Sequence, residues 1–85
     1  MGCFSLNDAR MLIGTRIKEL RKLSSISQET LANLAGMDRT YVTSVENGKR
    51  NISIVNINKI CCALDIDLYH FFDSDIFISG KGRHG

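Results

Sequence analysis

Residues 27–51 read SQETLANLAGMDRTYVTSVENGKRN, and this stretch decides the fold. Ser27 is a good N-cap, and the residues after it predict a helix from Gln28 to about Ala35, with Leu31 and Leu34 facing the core beside Ala32 and Ala35. Gly36 stands where the chain must leave that helix through a left-handed conformation. Asp38 then caps a second helix to about Glu46, with Val42 and Val45 as its inward pair, and Asn47-Gly48 stops it. Two short helices joined by so tight a turn make steric demands. The first must be small where the second crosses it, which Ala32 supplies. The turn needs positive φ, which Gly36 supplies. The second helix needs paired apolar anchors, Val42 and Val45, while Leu31 and Met37 close the underside.

Outward from this pair the pattern stays helical. From about Ala9 to Leu23, Ile13, Ile17 and Leu20 mark one apolar stripe, and Arg16, Lys18, Glu19, Arg21 and Lys22 fill the other faces. Ser24-Ser25 breaks that helix. Ser53 caps a helix to about Leu64 whose stripe is Ile54, Ile57, Ile60, Cys61 and Leu64; its β-branched residues favour a strand, but the helical spacing overrides them. Asp67 caps a short fifth helix holding Leu68, Phe71 and Phe72. Ile76-Phe77-Ile78 has strand character, and Gly80 to Gly85 reads as a flexible tail. The expected organisation is a leader at 1–10, an all-α bundle of five helices at 11–73 and a tail at 74–85.

Composition narrows the function classes. The chain has 85 residues, 44% apolar and 24% charged, which suits one small globular domain without room for a large substrate pocket. The net charge is +2, but residues 1–50 hold eight basic and five acidic side chains, and residues 51–85 three and four. The basic excess in the front part favours an anionic partner there. Cys3, Cys61 and Cys62 form no metal-ligand or disulfide spacing, and His70 and His84 stand alone, so neither a metal nor a cofactor is expected. The cysteines suit a reducing cytosol. Met1-Gly2-Cys3 resembles an acylated terminus, but Leu6 stands where the pattern wants Ser or Thr, and neither a signal peptide nor a membrane span is legible. No nucleophile, acid–base set or glycine-rich phosphate loop is assembled, so an enzyme is not expected.

The stretch 28–51 resembles the Cro/repressor-type helix-turn-helix, or XRE, family, and SIVNINKICCALDIDLYHFF at 53–72 looks like that family's fourth and fifth helices. The resemblance covers about residues 12–72. Within the family, DRTYVTSVENGKRN at 38–51 is similar to the controller proteins of restriction–modification systems. Ile52 departs from the pattern, where many relatives carry proline. The resemblance implies a five-helix, lambda-repressor-like domain, acting as a dimeric regulator on double-stranded DNA. It also implies that Arg21 pairs with Glu46 as a scaffold tie. A phage-type repressor, an antitoxin and a protein-interaction module that reuses the fold are the alternatives.

That reading sets the expected contacts. Arg39 sits in the first turn of the recognition helix and can bond guanine O6 and N7 together. Thr40, Thr43 and Ser44 share its exposed face. Tyr41 reads two ways, as a hydroxyl reaching base or phosphate or as a ring packed between helices. Gln28, at a helix start, is expected to hold a phosphate. Asn47, Lys49, Arg50 and Asn51 follow the recognition helix as a backbone clamp, and Arg50 could also reach a groove. Two subunits about 34 Å apart would read a palindrome. Ile66, Leu68, Phe71, Phe72, Ile76 and Phe77 are the candidates for the homodimer seam, with the bundle core as the competing use of Leu68, Phe71 and Phe72. Activation, as opposed to repression, would need a patch that touches RNA polymerase, and no such patch is legible.

Overall fold

The computed structural model describes residues 3–78. Its helices are α1 (Leu6–Leu23), α2 (Gln28–Ala35), α3 (Arg39–Glu46), α4 (Ile54–Ala63) and α5 (Leu68–Phe72), followed by one 3₁₀ turn, Asp75–Phe77. Among the described residues there is no strand, so Ile76-Phe77-Ile78 is not one. Its apolar residues instead fold the chain back onto α5, where the Phe77 ring meets Phe72 and Phe71 at centroid distances of 5.2 and 6.2 Å. The tail from Gly80 to Gly85 lies outside the described residues.

Local chemistry sets most of the helix boundaries. Ser27, Ser53 and Asp67 each accept a hydrogen bond from the backbone N–H three residues on, at 3.0, 3.1 and 2.8 Å. Asp38 occupies the N-cap of α3 but makes no side-chain capping bond, contrary to expectation. Gly36 ends α2 with φ +70°, the left-handed conformation that lets the chain turn directly into α3. The first helix begins at Leu6, not near Ala9, because Ser5 caps it through the Asp8 N–H at 3.1 Å. Leu6–Arg10, read as leader, are therefore helical. Residues 6–9 are exposed, so no apolar period marked this turn.

The core joins all five helices. Ile17 and Leu20 of α1 meet Leu31 and Ala32 of α2, Val42 and Val45 of α3, Ile57, Ile60 and Cys61 of α4, and Phe71 of α5. Two expected core residues lie outside it. Leu34 is 60% exposed, because Ala32 and Ala35 turn the buried face of α2 away from it. Ile54 is 57% exposed, because it occupies the first position of α4 at the end of its stripe.

Two features of α1 escaped the sequence reading. Gly14 packs directly on the end of α3, where an added Cβ would fall on the Val45 carbonyl oxygen and 2.7 Å from that of Glu46. Arg16, assigned to a solvent face, is buried. Its Nε donates to the Phe71 carbonyl at 2.7 Å, its Nη2 to the His70 carbonyl at 2.8 Å and its Nη1 to Glu19 at 2.8 Å. A five-residue helix leaves its last carbonyls without intrahelical partners, and Arg16 supplies donors to two of them.

Gly14→Ala tests the contact. In an exposed helix this change stabilises by up to about 1 kcal/mol; here it should destabilise by at least about 1–3 kcal/mol, because the clash is with backbone. Urea unfolding followed by circular dichroism reads the sign. A second test uses the thiols. Burial, reinforced by Cys62 and Asp67, pushes the Cys61 thiol upward from its ordinary pKa, whereas Cys3 and Cys62 are exposed. A thiol reagent at neutral pH should label Cys3 and Cys62 in the native protein and reach Cys61 only on unfolding, as mass spectrometry of timed aliquots would report.

Candidate nucleic-acid interface

The outer face of α3 is built from its inner one. Val42 and Val45 are buried, and this turns Arg39, Thr40, Thr43 and Ser44 away from the core. Arg39 and Thr40 are exposed, while Thr43 and Ser44 are half-buried. The helix is then locked from beneath by a chain of polar contacts. Arg21 donates to Glu46 through Nε at 2.7 Å and Nη2 at 3.0 Å, and its Nη1 donates to the Ile26 carbonyl at 2.9 Å. Gln28 Nε2 donates to the same carboxylate at 3.0 Å, and the Thr43 hydroxyl donates to Gln28 Oε1 at 2.7 Å. One network thus ties the end of α1 and the start of α2 to Thr43 and Glu46 on a single face of α3.

The Glu46 side chain is fully buried. Its hydrogen bond raises the Arg21 pKa above the ordinary arginine value; burial pulls the other way, and the charge of Glu46 adds to the rise. Every buried side-chain nitrogen and oxygen among the described residues finds a partner.

Gln28 is consequently not the free arm it was expected to be. Its amide oxygen and one N–H serve the network, leaving one N–H for an outside acceptor. Thr43 spends its hydroxyl proton inward and presents its methyl group and a lone pair. Arg39 lines a cleft of about 390 Å³ together with Arg21, Ser27, Gln28 and Glu29.

Tyr41 takes the packed position that is one of its two readings, with its hydroxyl still carrying a proton to donate. Its ring is half-buried against the core, and the Arg50 guanidinium lies over it, 4.9 Å from the centroid. Its hydroxyl accepts a hydrogen bond from Asn56 Nδ2 at 3.1 Å, so its own proton remains free to be donated. Asn47 ends α3, and Lys49, Arg50 and Asn51 are exposed in the α3–α4 loop after Gly48, whose φ is +74°. Asn51 Oδ1 accepts from Arg10 Nε at 2.7 Å. Arg10 and Asn56 carry no sequence signal for these contacts: one lies in the apparent leader, the other among solvent-face polar residues of α4.

The proposed dimer seam needs one correction. Phe71 is fully buried and packs edge-on against Phe72 at 4.9 Å, so it belongs to the core and has no surface to offer. Phe72 is 39% exposed, while Ile66, Leu68, Ile76 and Phe77 are half-buried. Tyr69, not anticipated, is the most exposed large apolar residue on α5, at 78%.

Two short helices with a glycine turn, the second displaying a polar face beside a basic loop, define a helix-turn-helix protein. Residues 17–71 match the helix-turn-helix family (HTH_3). The chain is 47% identical over 72 residues to control protein C.MunI of a Mycoplasma species, covering 84% of this chain and 96% of that one. It is 41% identical over 61 residues to control protein C.BamHI of Bacillus amyloliquefaciens, covering 71% and 75%. The restriction–modification controller protein C.AhdI from Aeromonas hydrophila superposes with a TM-score of 0.72 at 50% identity, over 75% of this chain and 97% of that one. A tetramer of the controller C.Esp1396I, solved with its natural 35 base-pair operator, has a TM-score of 0.72 at 30% identity, over 75% and 84%. The chain belongs to the helix-turn-helix family, and within it is most like the restriction–modification controller proteins.

The buried network makes a sharp prediction. Removing Glu46 leaves the Arg21 charge buried without its partner, so Glu46→Ala should cost about 3–5 kcal/mol. Gln28→Ala should cost less, because one donor to a carboxylate that keeps Arg21 is worth about 1.5–3 kcal/mol. Chemical denaturation of the two variants ranks them.

Proposed function

We propose that this protein is a sequence-specific DNA-binding transcriptional regulator, a homodimeric controller of a restriction–modification operon that binds a palindromic operator. The observation that carries this reading is the network beneath α3. It immobilises the base of the helix through Arg21, Glu46, Gln28 and Thr43 while leaving the Arg39 guanidinium and the Thr40 hydroxyl outward. A donor carried on a firmly seated helix is what discrimination between base edges requires, since a bidentate arginine is worth about 1–3 kcal/mol against the wrong base.

The clamp residues Asn47, Lys49, Arg50 and Asn51 flank that helix, so the positive charge needed for phosphate contacts lies beside the reading face. A single subunit has few such charges, and a dimer doubles both the phosphate contacts and the bases read. Phe72 and Tyr69, with the partly covered Ile66, Leu68, Ile76 and Phe77, are the apolar surface assigned to the seam. The solved operator complex of C.Esp1396I and the control-protein relatives support this reading.

No helix among the described residues is long and apolar enough to cross a membrane. We place the protein in the cytosol, where its operator is, with no catalytic role, and we assign the DNA-binding unit to α1–α5, residues 6–72, which moves the expected boundary at 11 back to the start of α1. Repression requires only occupancy of a promoter; activation adds a contact with RNA polymerase.

Selection of bound duplexes from a random pool tests the proposal. A palindrome with half-sites one or more helical turns of about 34 Å apart should be enriched. Arg39→Ala should lose about 1–3 kcal/mol on that duplex and relax one position in each half-site. A pool with no enriched palindrome, together with an Arg39→Ala protein that binds as the wild type does, overturns the reading.

A further inference from the structure

Arg10 and Arg50 line one cleft of about 280 Å³ between the start of α1 and the α3–α4 loop. Its floor is apolar, from Leu6, Ala9, Ile13 and Ile52, and none of its lining residues is acidic. Both cationic side chains border this space with no carboxylate beside them, and an apolar lining screens charge less than water does. The cleft therefore favours an anion between them.

Its donors are arranged for such a guest. Arg10 Nε donates to Asn51 Oδ1 at 2.7 Å and its Nη1 to Asn7 Oδ1 at 3.3 Å, while Nη2 has no partner among the described residues. Because Arg10 occupies the Asn51 carbonyl oxygen, the NH₂ end of that amide is left to donate. Arg50 rests one face on the Tyr41 ring at 4.9 Å, which leaves its in-plane N–H edge unspent. Three sets of donors with no carboxylate among the lining residues suit a group with one negative charge and two exposed oxygens, which is a phosphodiester.

We propose that this cleft is a DNA-backbone phosphodiester site and that Arg10 is a DNA-contacting residue, recruited from the opening turns of α1, upstream of the stretch 17–71 that matches the family. Arg10 acts twice. It offers Nη2 to the phosphate, and it turns the Asn51 amide so that its N–H groups face the same oxygens. The inference rests on the DNA-binding reading.

The test compares wild type, Arg10→Gln, Arg10→Lys and Arg39→Ala on the selected duplex over a potassium chloride series. Each phosphate contact contributes about 0.9 to the slope of log affinity against log salt. Arg10→Gln should weaken binding several-fold and flatten the slope by about 0.9 per subunit, while Arg10→Lys keeps the slope. A duplex carrying one neutral methylphosphonate per half-site, scanned along the backbone, provides a second readout. At one position wild type should lose affinity and Arg10→Gln should be indifferent. An Arg10→Gln protein with the wild-type slope, or with the wild-type methylphosphonate profile, overturns the inference even if its affinity falls. If Arg39→Ala loses the selected duplex while Arg10→Gln keeps the slope, only this inference fails. If the wild type prefers no duplex and Arg39→Ala changes nothing, the functional reading fails and takes this inference with it.

Discussion

A buried carboxylate holds the reading surface in place. Glu46 closes α3, and its two oxygens receive three hydrogen bonds, two from Arg21 and one from Gln28. A carboxylate so enclosed is tolerated only when its charge is paired and its lone pairs are met. Both conditions require α1, α2 and α3 to stand in one arrangement. The pair need not add much net stability for this to matter, because the alternatives strand a charge. Stability and the aim of Arg39 are therefore set by the same contacts.

Close packing completes what the network begins. Gly14 lets the backbone of α1 touch the end of α3, which brings Arg21 of the same helix within reach of Glu46. Arg16 and Arg21, both on α1, reach different helices, one to the terminal carbonyls of α5 and the other to the terminal carboxylate of α3. The helix that reads as an ordinary amphipathic segment is the rod to which both α3 and α5 are fastened.

Much of this was legible because it is local. Ser27, Gly36, Ser53 and Asp67 mark helix ends by chemistry confined to four residues, and the stripes at Ile17 and Leu20 or at Val42 and Val45 follow the helical period. Local reasoning failed where a side chain's fate depended on a distant partner. Arg16 looks like any solvent-face arginine until α5 folds over it. Phe71 looks like interface until the 3₁₀ turn and α5 close a small core around it. Leu34 looks like core until the neighbouring alanines set which way α2 rolls.

The amino-acid order alone determined that five helices form, where three of them are capped, and that a glycine turn presents one of them outward, since caps, turns and periodicity act over a few residues. Tertiary structure alone decided that Gln28 faces inward to Glu46, that Phe71 is core, and that Arg10 meets Asn51 across forty-one positions of chain. Those outcomes depend on which backbone surfaces approach each other, and contacts so far apart in sequence leave no periodic trace in it.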